Sequence, residues 1–268
     1  MEEHANCART SPTIFPRKPT DEVGPRKNKG LDMKVIVIAN IAGGVGKTTA
    51  AHAIAVASVE YGKKVLLIDA DPAAALTFCC GIENPRITTL ELLTEQFSLD
   101  SSIVKSSERF SLIPSSSRLA SIDPSTIVEK KKFLKKCEEF DVVIVDTATG
   151  PNQLLTYFLE LADLVISPTT TEILAIRGSL HLRDFLHSIG NSTKIQVLLN
   201  DIHQSMEKEL LDHIKDDFVL IVPVIRRDSS VVGSQVTGKS VLSVYKDSGV
   251  ASDFREATYS ILENLALI

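Results

Sequence analysis

No stretch of the 268 residues approaches the roughly 18 to 20 consecutive apolar side chains that a membrane-spanning helix requires. Residues 1–31 are polar and proline-studded and lack the apolar centre of a signal peptide, so a cytoplasmic location is expected. Cysteine is scarce. Cys7, Cys79, Cys80 and Cys137 show no C-x-x-C spacing, and the adjacent pair fits neither a disulfide framework nor a zinc site, which leaves reduced cysteines filling core space. The six histidines are scattered without metal-ligand spacing, and no Gly-x-Ser-x-Gly nucleophile turn occurs. Positive charge is also lacking. A formal net charge of −5 gives no overall basic field to draw the chain onto DNA or an anionic membrane, so any nucleic-acid contact must come from a local patch.

What is present is an ordinary globular composition, with 44% hydrophobic and 24% charged residues, enough for a sizeable core. Residues 1–32 hold four of the eleven prolines and read as a disordered tail with basic clusters at Arg17-Lys18 and Arg26-Lys27. From Met33 onward, short β-branched runs alternate with helical stretches. Strands are expected at 35–39, 65–68, 110–113, 142–145, 164–167, 195–199 and 219–222, and helices at 47–61, 124–138, 153–161, 172–187, 204–215 and 251–267. Most of these strands are continuously apolar, as strands covered on both faces should be. The order implies one α/β domain over 33–268, a doubly wound, mostly parallel sheet with helices on both faces.

Ala42-Gly43-Gly44-Val45-Gly46-Lys47-Thr48-Thr49 stands between the first strand and the first helix. Glycines let backbone N–H groups close around an anion, and the following helix N-terminus favours phosphate. Lys47 supplies a full charge toward the β and γ phosphates, and the Thr48 hydroxyl suits Mg²⁺. The binding set is therefore Gly43, Gly44, Val45, Gly46, Lys47, Thr48 and Thr49. Two further strands end in carboxylates, where ligands of open parallel sheets bind. Asp69 and Asp71 follow 65–68, and Asp146 follows 142–145.

The Gly-Gly-Val-Gly-Lys-Thr-Thr run, the Leu-Ile-Asp-Ala-Asp-Pro segment and the Val-Ile-Val-Asp-Thr segment resemble the ParA/MinD family of deviant Walker-type ATPases, and the likeness extends from Met33 to Leu267. The resemblance implies ATP and Mg²⁺ as cofactors. It makes Asp69, with Lys47, the catalytic choice, because the first aspartate of the family's second motif orients the attacking water; a helix cap or turn is the plainer role for Asp69. Asp71 reads as a cap for the turn through Pro72. Asp146 holds Mg²⁺ opposite Thr48, Gly150 is a hinge sensing the γ-phosphate, and Asn200 and Arg227 take positions near the nucleotide, although Asn200 also suits a simple turn.

Two departures stand out. The family's extra lysine falls at position 42, which is Ala, and its Gln-Gly-Asn run is replaced by Ala73-Ala74-Ala75. The resemblance implies a slow ATPase for DNA segregation or intracellular positioning. It would form an ATP-dependent homodimer, bind DNA non-specifically near the nucleoid, and be released by a ParB-like or other activating partner. Candidate DNA contacts are Arg226, Arg227, Lys239, Lys246 and Arg255, with Lys130-Lys131-Lys132 and Lys135-Lys136 as a second basic surface or a plain solvated face. The alternative is a weakly hydrolysing, ATP-gated adaptor that localises an envelope or secretion assembly. The C-terminal segment carries two acidic residues and one basic over 254–268, and reads as a helix packing on its own domain, with no membrane role.

Overall fold

The computed structural model describes residues 33–202 and 214–268. Eight strands form one sheet: β1 Lys34–Ile38, β2 Val65–Ala70, β3 Val104–Lys105, β4 Ser111–Ile113, β5 Val142–Thr147, β6 Leu164–Thr169, β7 Ile195–Leu199 and β8 Val219–Ile221. Their order is β3-β4-β2-β5-β1-β6-β7-β8, and every pairing is parallel except β3 with β4. The helices are α1 Lys47–Glu60, α2 Ala75–Cys79, α3 Thr89–Leu93, α4 Leu99–Ser102, α5 Lys130–Cys137, α6 Gln153–Leu159, α7 Ile173–Ser188, α8 Ser230–Gln235, α9 Val241–Val244 and α10 Gly249–Asn264. This is the doubly wound α/β architecture expected from the sequence.

The period-2 geometry of a strand sends alternate side chains to opposite faces. Ile36, Ile38, Leu67, Ile144 and Ile166 join one buried cluster, where they meet the alanines of α1 and Phe254, Ala257 and Ile261 of α10. Val35, Val37, Leu66, Ile68, Val143, Val145 and Val165 join the other, against Phe133, Tyr157, Phe158, Leu182 and Leu186. Both faces are covered, which is why β1, β2, β5 and β6 carry no alternation of polar and apolar residues. Each large aliphatic side chain buried this way contributes about 1.5–3 kcal/mol of transfer free energy. The small side chains of α1 let it lie close between the sheet and α10; ten of its fourteen residues are buried.

Several expectations need correction. The sheet has an eighth strand, because the two-residue β3 turns back antiparallel along β4. The helix expected over 124–138 is interrupted. Asp123 does act as a cap, accepting the Ser125 N–H at 2.9 Å, but only a 3₁₀ turn (Pro124–Thr126) follows. The β-branched Ile127 and Val128 then leave the helix; Val128 is buried and its N–H donates to the Leu93 carbonyl at 2.7 Å, and the α-helix begins at Lys130. The C-terminal helix starts at Gly249, where the Ser248 side chain caps the Ala251 N–H, and its buried face packs on the domain as expected. The disordered tail expected at 1–32 and nearly all of the helix expected at 204–215 lie outside the described residues.

Because β1 sits between β5 and β6 while the chain leaves it for β2, the crevice at its carboxyl end is the topological switch point. The phosphate-loop sequence occupies that crevice. No helix of the described residues is long and apolar enough to cross a membrane.

Candidate nucleotide site

The loop at the end of β1 is built by its glycines and by Asn40. Gly44 and Gly46 have φ of 72° and 88°, the left-handed region that a side chain resists. At Gly46 a Cβ would also lie 2.1 Å from the amide nitrogen of Asn200. The buried Asn40 amide donates to the Pro168 carbonyl at 2.9 Å and to Ser179 Oγ at 3.1 Å, while its oxygen accepts the Ala42 N–H at 2.9 Å. The loop's entry is thereby fixed to β6 and α7.

Lys47 opens α1 with its ammonium folded back over the loop, donating to the carbonyls of Ala42 at 3.0 Å and Asn40 at 3.3 Å. Burial lowers its pKa from the ordinary lysine value, against the opposing charges of Asp146 and Asp71. Thr48 Oγ1 donates to Asp146 Oδ2 at 2.8 Å. Asp146 is fully buried, and its other oxygen has no partner among the described residues. Burial and the neighbouring charge of Asp69 raise its pKa well above the usual carboxylate range, with Thr48 and Lys47 opposing. A buried, orphaned carboxylate oxygen beside a threonine hydroxyl is the hard-oxygen environment that Mg²⁺ takes, so Thr48 and Asp146 fit that ion. When bound, it would offset phosphate charge and let Asp146 ionise.

Asp69 and Asp146 are directly paired in register on adjacent strands. The Asp69 carboxylate is nevertheless engaged at both oxygens. One oxygen accepts the Thr77 N–H at 2.9 Å and the Thr77 hydroxyl at 2.7 Å, and the other accepts the Asp71 N–H at 3.1 Å. Its pKa is pushed up to about 6, burial outweighing those hydrogen bonds. Asp71 is only half-buried. One of its oxygens accepts the Ala73 N–H at 2.8 Å; the other has no partner among the described residues. Ala74 holds φ at 54° as it starts α2.

Of the remaining expected residues, Val45 is buried and its carbonyl accepts the Asn200 amide at 3.0 Å, so Asn200 is locked onto the loop. The Thr49 hydroxyl accepts from Gln235 of α8 at 3.1 Å. Gly43 is exposed beside Thr149, whose methyl lies 3.6 Å from where a Cβ would stand. Arg227 Nη1 lies 3.7 Å from Asp201, the residue after Asn200. Sequence reasoning missed Asn40, Thr77 and Gln235, whose roles arise from contacts across the fold.

The proposed DNA contacts fare unevenly. Arg226 is held by Asp253 through two bonds of 2.7 Å, Arg255 by Glu60 at 2.6 Å, and Lys132 and Lys136 both by Glu95. Among the described residues, Lys239, Lys246, Lys131 and Lys135 have no ion pair.

A sequence profile described as an AAA domain matches residues 33–200, well over half of the chain. The septum site-determining protein MinD of Thermotoga maritima is 30% identical over 231 residues, covering 82% of this chain and 84% of that protein. The chain belongs to the ParA/MinD family of Walker ATPases. Another relative of this family, the virulence plasmid ParA family protein pGP5-D of Chlamydia psittaci, is 28% identical over 248 residues, covering 87% of this chain and 96% of its own length. The septum site-determining protein MinD from Pyrococcus horikoshii, solved in complex with Mg-ADP, superposes with a TM-score of 0.74 at 22% identity, covering 85% of this chain and 96% of that one. The ParA/MinD fold thus accounts for the strand order, and the loop geometry belongs to the part of the chain that the family profile spans.

Proposed function

We propose that this protein is a ParA-like positioning or partition ATPase, with ATP-dependent dimerisation, non-specific DNA binding near the nucleoid, and release when a ParB-like or other partner stimulates slow hydrolysis. The observation that carries the reading is the Thr48–Asp146 pair with its orphaned buried oxygen, set directly beside Lys47 on a glycine-built loop. In this reading the backbone of 43–49 and Lys47 bind the triphosphate, Thr48 and Asp146 hold Mg²⁺, and Asn200 and Arg227 stand toward the base. Hydrolysis adds a water oxygen to the γ-phosphorus while the bridging P–O bond breaks with its electron pair going to ADP, and the water's proton leaves with phosphate. This step asks the protein mainly for positioning and charge stabilisation.

The sequence alone favours Asp69 as the residue that orients this water. The geometry supports a different division: Asp69, with three donors already on its carboxylate, positions the 71–77 segment, and half-buried Asp71, with one open oxygen, orients the water. Turnover measured for Asp71→Asn and Asp69→Asn separates the two. Loss of turnover in the Asp71 variant with its ATP binding preserved supports this assignment, and full activity in that variant refutes it.

The second reading, an ATP-gated adaptor with little hydrolysis, draws on Ala42 and on the pairing of Arg226 and Arg255 with acidic partners, which leaves a thin basic surface. DNA binding measured with ATP, with ADP and without nucleotide at two salt concentrations discriminates. ATP-specific, salt-sensitive binding together with turnover favours the partition reading. ATP-driven dimerisation with neither favours the adaptor, and no ATP binding at all refutes both.

A further inference from the structure

Residues 41–49 include one cation, Lys47, so the charge that the loop brings to a nucleotide depends on where that single ammonium is held. An ammonium has three hydrogens to donate. The carbonyls of Asn40 and Ala42 take two of them, at 3.3 and 3.0 Å, which leaves one for a phosphate oxygen. Both carbonyls are governed by one residue. Asn40 carries the first on its own backbone, and its side-chain Oδ1 fixes the residue that carries the second by accepting the Ala42 N–H at 2.9 Å.

The Asn40 side chain is held in turn by one turn of α7. It is buried, and its amide nitrogen lies among four acceptors: the carbonyls of Pro168 at 2.9 Å and Ala175 at 3.3 Å, Ser179 Oγ at 3.1 Å and Thr169 Oγ1 at 3.4 Å. Ser179 Oγ is itself bonded to the Ser167 hydroxyl at 2.9 Å and the Thr169 hydroxyl at 2.6 Å, so the hydroxyls form one buried cluster. Between Ala175 and Ser179 stands Gly178. A Cβ there would lie 2.1 Å from Asn40 Oδ1 and 2.8 Å from both the nitrogen and the Cβ of Ala42. Glycine is a poor helix former, and its place inside this 16-residue helix is what lets α7 close on the loop's entry. Burial alone requires only that the amide find partners, which Pro168 and Ser179 supply. It does not require Oδ1 to hold the loop, nor a glycine to face it.

We propose that Asn40 is a positioning residue for phosphate binding: held by Gly178 and Ser179, it sets the two carbonyls on which Lys47 rests and so aims that ammonium at the β and γ phosphates. Asparagine suits the place because one planar head supplies an acceptor for the loop and donors for the helix. An ionised aspartate has no hydrogen to donate, and serine has one oxygen where asparagine has two separate polar ends. A displacement of α7 is then felt at Lys47 without any contact between that helix and the nucleotide. This inference rests on the ATPase reading above.

The test measures calorimetric affinity for Mg-ATP and for Mg-ADP in the full chain carrying Asn40→Ser, Gly178→Ala or Ser179→Ala, with melting temperature as the check on folding. In this reading Lys47 faces two phosphates of ATP and one of ADP, so a misaimed ammonium weakens ATP more, whereas a loop that is merely loosened weakens both alike. Affinity for ATP should fall about tenfold or more in Asn40→Ser and in Gly178→Ala, and affinity for ADP about threefold or less. Gly178→Ala is the decisive arm, because it removes none of the amide's four acceptors and disturbs only the close approach of the helix. Ser179→Ala, which takes away one of those acceptors, should shift the ratio of ATP to ADP affinity in the same direction by less, and it stands in if either other variant fails to fold. Equal losses for the two nucleotides, or a ratio within about twofold of wild type in the folded variants, overturn the proposal. A wild-type chain that binds neither nucleotide overturns the ATPase reading and this inference with it. One that binds ATP without turnover overturns the hydrolysis reading alone, and the affinity ratio still decides the role of Asn40.

Discussion

Replacing Thr77 with valine should destabilise the protein by an amount that grows as pH rises. Thr77 and Asp69 are both buried, and the Thr77 hydroxyl is used twice, donating to Asp69 Oδ2 at 2.7 Å and accepting the Ser115 N–H at 2.8 Å. Valine keeps the shape and removes both bonds. A hydrogen bond to a charged group is worth about 1.5–3 kcal/mol, and an orphaned buried N–H costs about 1–3 kcal/mol, so a total of roughly 3–4 kcal/mol is expected near pH 8. The pH dependence follows from Asp69. Its folded-state pKa of about 6 stands above the unfolded value of ~3.9, so the native state holds this proton more tightly. The stability this contributes is fully present below ~3.9 and is lost as pH rises through about 6, amounting to about 3 kcal/mol in the wild type. Thr77→Val removes a bond that favours the ionised form, raises the folded pKa further and steepens the loss. At pH 5 the carboxyl is mostly protonated and the cost should shrink toward that of a neutral hydrogen bond plus the orphaned N–H, about 2–3 kcal/mol. Urea unfolding followed by circular dichroism measures it, since the chain has no tryptophan. A cost under 1 kcal/mol at pH 8, or one equal at pH 5 and pH 8, would refute the reasoning.

Gly46→Ala should abolish nucleotide binding, because the added carbon meets the Asn200 amide at 2.1 Å on a backbone with φ of 88°; an ATP affinity within threefold of wild type, measured by calorimetry, would be incompatible with that clash. Glu108→Gln should cost about 3 kcal/mol at pH 7, since the buried carboxylate lies 2.6 Å from His52 and accepts the Ser240 N–H at 3.0 Å. Burial alone would raise the Glu108 pKa, but His52, Ser243 and Ser240 outweigh it and hold it below the usual value. That stability is therefore present above the unfolded pKa of ~4.3 and lost as pH falls through the folded one. Denaturation midpoints of the two proteins should converge in acid.

The elements that could be read from the sequence are those whose local pattern and tertiary role agree. Val35 to Ala39 and Val142 to Val145 are apolar without alternation because both faces of the sheet are covered, and the loop glycines announce their left-handed backbone by their identity. Thr48 and Asp146 were legible as a pair because each ends or begins an element at the same edge. The rest depends on distant partners. Nothing local in Ile127-Val128 breaks a helix; the break comes from Val128 bonding Leu93 and filling the core. The roles of Asp69 and Asp71 turn on Thr77, six residues past the second aspartate, and the charge of Arg226 and Arg255 is offset by Asp253 and by Glu60, the latter nearly two hundred residues away in the chain.

The sheet begins and ends in very short strands. β3 has two residues and presents Lys105, and β8 has three and is followed directly by Val222 and Pro223. An edge so brief, charged on one side and cut off by a residue without an N–H on the other, offers almost no ladder for a foreign strand to extend. Lateral growth into a continuous sheet is blocked at both margins. A high local concentration of this chain therefore carries little risk that proximity turns into fibre.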